Sequence, residues 1–293
     1  MTKLITGKTK LLGVIGHPVE HSLSPVMHNA AIAHLGLDYV YLPFPIAPEN
    51  LEIAIAGFAA VDIVGFSVTI PHKQAIIPLL SEITPIAQTI GAVNTVSRQN
   101  HKWVGTNTDI EGFIAPLQTT YQQDWSQKVA VILGNGGAAR AVVAGCHQLG
   151  FAKIYVLGRN VQKLQAFCDS WSNSPIEENL QVGTWDELAK LIPQANLLVN
   201  TTPIGMYPKV DESPLSVEEI ANLPTGAIAY DLIYIPKPTL FLQQAEKQGA
   251  IAIDGLEMLV QQGVAALKIW LQQENIPVEV MRQALQNYLG LGR

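Results

Sequence analysis

The run KVAVIL at residues 128–133 leads straight into Gly134, Asn135, Gly136, Gly137, Ala138, Ala139 and Arg140, and no other stretch constrains the fold as tightly. A short β-branched run predicts a buried strand, the glycines predict a tight turn, and residues 138–149 carry helical character. Strand, glycine turn and helix in that order begin a doubly wound dinucleotide-binding unit. The turn lets the backbone approach a pyrophosphate, which sits on the amides of the helix N-terminus. A lone glycine pattern is a weak signal, so the next strand matters. KIYVL at 153–157 reads as that strand and ends in Gly158, Arg159 and Asn160. NAD sites place a carboxylate here to accept from the ribose 2′-hydroxyl, whereas an arginine suits a 2′-phosphate. Arg159 therefore points to NADP(H). The plainer alternative is a surface arginine at a helix boundary.

Strands and helices alternate on both sides of this loop. Residues 11–15, 39–44 and 63–68 read as strands and 48–58 as an amphipathic helix. A further helix is expected over 24–35, with Ser24 as N-cap and Pro25 in its first position. Residues 92–97 and 102–106 flank RQNH at 98–101 and predict a hairpin. The second series adds strands at 196–200, 227–231 and 250–253, and helical patterns at 256–273 and 278–288 close the chain. The expected fold class is α/β with two α/β domains. An N-terminal domain with a mostly parallel sheet covers 1–112 and a C-terminal Rossmann dinucleotide-binding domain covers 113–254. The helices of 255–293 are expected to return to the first domain, and the cleft between the domains is the expected reaction site.

Composition narrows the class of partner. The 293 residues suffice for two domains, and with 48% hydrophobic and 14% charged residues a large core can form. A net charge of −6 without a basic block argues against nucleic acid. No run is long enough to span a bilayer, so a cytoplasmic protein without membrane partners is expected. Cys146 and Cys168, each in a predicted helix and neither in a CxxC pair, read as buried small hydrophobes in a reducing compartment.

Four polar clusters lie outside the glycine loop. Ser22 and Ser24 follow the first strand, beside a helix start, and suit an anion or carboxylate; capping alone also explains Ser24. His17 and His21 lie four apart, but Pro18 and the strand exit argue against a helix, and no metal site is expected. The second cluster, Ser67 to Lys73, follows a strand and includes Thr69 and Pro71; a lysine is ordinarily a solvated surface residue, yet this one lies just past a proline turn. The third, around Asn94, opens an apolar strand with an amide. The fourth contains Asn107, Thr108 and Asp109, whose acid fits either chemistry or a helix N-cap.

Taken together the clusters resemble the shikimate dehydrogenase family, in order along nearly the whole chain. The matching positions are Gly16, Pro18, His21, Ser22, Ser24 and Pro25, then Val68, Thr69, Pro71 and Lys73, then Gly91, Ala92, Asn94 and Thr95. They continue with Asn107, Thr108 and Asp109, the glycine loop through Arg140, Asn200 to Met206, and Asp254, Gly255, Met258 and Gln262. The resemblance implies that Lys73 and Asp109 form the catalytic pair and that Ser22 and Ser24 hold the substrate carboxylate. It implies that Thr69, Asn94, Gln262 and Tyr234 contact the rest of the substrate. Gly134, Gly136, Gly137, Ala138, Arg140, Thr201, Met206 and Gly255 would lie on the cofactor, with Arg159, Asn160 and Lys163 at its 2′-phosphate. The implied reaction is reversible NADPH-dependent reduction of 3-dehydroshikimate to shikimate, in aromatic amino-acid biosynthesis, by a monomer or homodimer. A quinate/shikimate dehydrogenase and a non-catalytic NADP-sensing module are the alternatives. Two departures stand out. The family often has asparagine at Ser67, and its arginine is commonly preceded by asparagine and followed by threonine, whereas here Gly158 and Asn160 flank Arg159.

Overall fold

The apolar runs ahead of the glycine loop become a six-stranded sheet in the computed structural model, which describes residues 4–121, 124–172 and 174–291. In chain order these elements are β1 (Lys10–Gly16), α1 (Ser24–His34), β2 (Tyr39–Pro45), α2 (Leu51–Ala60), β3 (Gly65–Val68), α3 (His72–Ala75), β4 (Glu82–Ile83), α4 (Pro85–Ile90), β5 (Thr95–Gln99) and β6 (Lys102–Thr106). The strand order is β2-β1-β3-β5-β6-β4. β1 pairs in parallel with β2 and β3, while β5 runs antiparallel to both β3 and β6. The hairpin expected around 98–101 forms with a two-residue turn in which Asn100 and His101 have φ of 49° and 64°. Left-handed geometry at both central positions matches the right-handed twist of the flanking strands.

The chain continues through α5 (Asp109–Thr120), β7 (Val129–Leu133), α6 (Gly137–Leu149), β8 (Lys153–Gly158), α7 (Val161–Asp169), β9 (Leu180–Thr184), α8 (Leu188–Leu191), β10 (Leu197–Asn200), α9 (Val217–Ile220), β11 (Ile228–Asp231), α10 (Leu240–Lys247) and β12 (Ile251–Ile253). These strands form a second, wholly parallel sheet, β12-β11-β10-β7-β8-β9. Counted from β7, that is the 3-2-1-4-5-6 order of a doubly wound dinucleotide fold, with its switch point between β7 and β10. Both faces of β7 and β10 are covered, so their side chains are buried without alternation. Last come α11 (Leu256–Leu271) and α12 (Val278–Tyr288).

Two compact units result, residues 1–108 with 259–293 and residues 109–258. Most of α11 and all of α12 therefore belong with the first sheet. There Trp270 Nε1 donates to the Val96 carbonyl at 2.9 Å, and α12 packs on α1, with its Met281 and Leu285 fully buried. Cys146 is buried as expected, but Cys168 is only half-buried. Ser24 is not a cap: it is the first residue of α1, Leu23 precedes it, and no side chain caps the helix. Asp109 likewise opens α5 rather than preceding it.

Candidate active site and cofactor loop

In the first unit the polar clusters gather at one sheet edge because parallel β1 and β3 end there and antiparallel β5 begins there. Ser67 pairs with Thr95 and Thr95 with Thr106 across that edge. The connection after β3 is held on several sides. The Thr69 N–H donates to the Ile15 carbonyl at 2.9 Å and the His17 N–H to the Ile70 carbonyl at 3.0 Å. The His72 ring is buried, with Nε2 2.7 Å from the Ile46 carbonyl. Lys73, half-buried, accepts at its own carbonyl from the Val93 N–H at 2.8 Å. The neighbouring Asn94 is 3% exposed, and its Oδ1 accepts the Thr108 N–H at 2.7 Å while its Nδ2 donates to Thr108 Oγ1 at 3.0 Å. Lys73, Asn94 and Thr108 thus share one fixed frame, and Asp109 is the next residue along the chain.

The serine cluster is arranged differently from the sequence reading. The Ser22 N–H donates to the Val19 carbonyl at 3.0 Å, and Ser22 Oγ accepts the Ser24 N–H at 3.3 Å. The Ser24 side chain, relieved of capping, lies near the buried Tyr41 phenol. Ser67 Oγ accepts from the same phenol at 2.8 Å. Tyr41 went unnoticed in the sequence because it sits in a strand where a core aromatic explains itself. Gln262, in the α11 portion of this unit, is 9% exposed and donates to the Leu259 carbonyl at 2.7 Å.

In the second unit the loops after β7, β8, β10 and β11 share the carboxyl edge of the sheet, where doubly wound folds bind ligands. Gly134 has φ of +100°, and a Cβ there would lie 2.9 Å from Thr201 Oγ1. Thr201 holds that approach by donating to the Leu133 carbonyl at 2.7 Å. Gly136 precedes α6, no side chain caps the helix, and a Cβ built on Gly136 meets nothing within 4 Å. The first amides of α6, at Gly137 and Ala138, therefore lack intrahelical acceptors beside open space, a fit for a pyrophosphate. Arg159 and Lys163 are exposed, and Asn160 caps α7 by accepting the Lys163 N–H at 2.8 Å.

Arg140 is packed into the second unit. It is 6% exposed, with its guanidinium 4.9 Å from the Trp171 ring and 5.3 Å from Phe167 and an Nη1 bond to Ser170 Oγ at 2.8 Å. Burial lowers its pKa to about 10, which leaves it charged at neutral pH. This arginine braces α6 against α7 through cation–π packing. Gly255 is also packed from within: a Cβ there would strike the Leu232 carbonyl. Met206 and Tyr234 are half-buried in the loops after β10 and β11.

A buried carboxylate missed in the sequence ties those two loops together. Asp231 is fully buried; it accepts from Thr239 Oγ1 at 2.7 Å, from Asn200 Nδ2 at 3.0 Å and from the Ile233 N–H at 3.1 Å. Burial outweighs these bonds, with Asp254 adding to it, and raises the pKa from 3.8 to about 6. An acid whose folded pKa lies above its unfolded value binds more protons when folded, so its contribution to stability is present below pH 4 and lost as pH rises to 6. The difference amounts to about 3 kcal/mol. Asp231→Asn should remove this dependence, so its stability relative to wild type should improve by that order between pH 4 and pH 6.5 in urea unfolding. A constant difference across that range would disprove the assignment. Among the described residues no cluster of three or more His, Cys, Asp or Glu is placed to hold a metal ion, and no helix is long and apolar enough to cross a membrane.

Three family models match along the chain: a shikimate dehydrogenase substrate binding domain at residues 14–96, shikimate/quinate 5-dehydrogenase at 117–207, and a shikimate 5′-dehydrogenase C-terminal domain at 255–286. A shikimate dehydrogenase (NADP(+)) of Trichormus variabilis is 83% identical over 288 residues, covering 98% of this chain and 100% of the relative. The chain belongs to the shikimate dehydrogenase family. A crystal structure of a shikimate dehydrogenase in complex with NADP+ superposes with a TM-score of 0.87 at 40% identity, covering 98% of each chain. A 5-ketofructose reductase of a Gluconobacter strain superposes nearly as well, TM-score 0.84 at 33% identity over 97% of this chain and 100% of that one. The architecture therefore leaves the substrate open, and side chains must decide it. Relative to the asparagine common in shikimate dehydrogenases, Ser67 is shorter by an amide, and its hydroxyl is engaged by Tyr41.

Proposed function

We propose that this chain catalyses the reversible, NADPH-dependent reduction of 3-dehydroshikimate to shikimate, a step of aromatic amino-acid biosynthesis. The observation that carries the reading is the 83% identity, over essentially its whole length, to a shikimate dehydrogenase (NADP(+)). Bound NADPH supplies the hydride. The protein's tasks are to position the substrate, to exclude the wrong cofactor and to handle one proton.

Lys73 donates to the carbonyl oxygen as negative charge develops there, with Asp109 as the second member of the catalytic pair. The hydrogen bonds among Lys73, Val93, Asn94 and Thr108 support this, since they fix the backbone of Lys73 and of Thr108, the residue before Asp109. Ser22 and Ser24 bind the carboxylate; Thr69, Asn94, Gln262 and Tyr234 read the ring hydroxyls. Gly134 to Ala138 cradle the pyrophosphate, with Thr201 and Met206 on the nicotinamide side. Gly255 holds the Leu232 loop at close approach and Arg140 stiffens the first helix, so both act behind the cofactor. Arg159 and Lys163 supply charge for the 2′-phosphate, and the Asn160 cap leaves its amide nitrogen as a third donor. The two free cysteines fit a reducing, cytoplasmic location.

Reduced nicotinamide should accumulate when the protein is mixed with shikimate and NADP+, measurably faster than with quinate. No turnover with either substrate would refute an enzymatic reading, and faster turnover of quinate would refute the substrate.

A further inference from the structure

Tyr41 stands in β2 with no surface exposed. Its ring stacks on His28, 4.2 Å between centroids and 19° between planes, and tilts against Trp270 at 5.9 Å. For that packing a phenylalanine would serve, without a polar group to desolvate. The phenol oxygen instead donates to Ser67, which stays 8% exposed, and lies near Ser24, at 7%. Ser67 precedes Thr69 by two residues, so a core hydroxyl holds a side chain of the candidate substrate site.

The direction of this bond matters. Burial pushes the Tyr41 phenol upward, so it stays protonated and has a single proton to give. That proton goes to Ser67 Oγ, which leaves the Ser67 hydrogen to be donated elsewhere. A serine hydroxyl rotates, and an unguided rotor presents its proton to a ligand in only some of its orientations. His28 steadies the arrangement: its Nδ1 bonds the Ser24 carbonyl at 2.9 Å, and burial lowers its pKa to about 4, so an uncharged ring lies against the phenol at neutral pH.

We propose that Tyr41 is a positioning residue for the substrate site, its phenol proton fixing from inside the core the direction in which Ser67 donates. The inference rests on the reading that Ser22 and Ser24 hold the substrate carboxylate. Tyr41→Phe keeps the ring, the stack and the burial and removes one oxygen. The KM for shikimate should rise about 3- to 12-fold, the value of one hydrogen bond. The kcat, the KM for NADP+ and the thermal midpoint should stay close to wild type, which a loss of general packing would not allow. Ser67→Ala should also cost less in the Tyr41→Phe background than alone, because part of the tyrosine's effect passes through that serine. An unchanged shikimate KM in Tyr41→Phe, or a parallel fall of kcat, both affinities and the midpoint, would overturn the proposal. Ser24→Ala separates the two levels. If it raises the shikimate KM while Tyr41→Phe does not, the positioning role alone fails; if it too binds shikimate normally, the carboxylate site itself is wrong and the inference falls with it.

Discussion

Replacing Lys73 with alanine is expected to lower kcat about 10²–10⁴-fold, the usual contribution of a positioned acid or base. The substitution removes a half-buried ammonium but leaves the backbone bond from the Val93 N–H to the Lys73 carbonyl intact. His72 anchors the same turn through Ile46. The fold should therefore survive, and circular dichroism should match wild type. Affinity for NADPH should barely move, because the glycine loop and Arg159 belong to the other unit. Asp109→Asn is the companion. It is nearly isosteric, and since Asp109 lies in the first turn of α5, losing its charge costs only about 0.3–1 kcal/mol of helix stability. A loss of kcat comparable to that of Lys73→Ala would assign both residues to the chemistry. Near-wild-type turnover at saturating substrate in either variant would remove that residue from the mechanism.

Replacing Arg159 with alanine should raise the KM for NADP+ about ten- to a hundred-fold while that for NAD+ changes little. Hydrogen bonds to charged groups are worth about 1.5–3 kcal/mol, and that energy is available only to a cofactor carrying the 2′-phosphate. Arg159 is exposed at the end of β8 and the adjacent cap is made by Asn160, so the α7 start should persist without the arginine. Lys163, one turn on, keeps part of the charge, and the double variant Arg159→Ala, Lys163→Ala should lose more. Equal losses with both cofactors would show that Arg159 does not read the phosphate.

The fold was legible wherever burial is complete. KVAVIL, KIYVL and the strands at 197–200 and 228–231 lie deep in the second sheet, so apolar runs mark them without ambiguity. Elements with little to bury left no such mark. β9 is an edge strand burying only Leu180 and Gly183, β4 is two residues long, and α10 buries Phe241, Leu242 and Ala245 within an otherwise polar run.

The sequence by itself determined the chemistry on offer: a glycine turn after a buried strand, an arginine where a 2′-phosphate would be read, and a lysine, two serines and an acid beside strand ends. Those are properties of residue type and local order, which spacing carries. What each polar side chain does with its hydrogen bonds was decided only by tertiary structure. Ser24 reads as the cap of α1, but it is the first residue of the helix and caps nothing, its side chain lying near Tyr41 of β2. Arg140 follows the glycine loop, yet its guanidinium is held by Phe167 and Trp171. Asp231 looks like a strand-end acid and instead pins two loops through Asn200 and Thr239. A buried donor or acceptor must find a partner, and which one lies within 3 Å depends on chain packing that no local pattern encodes.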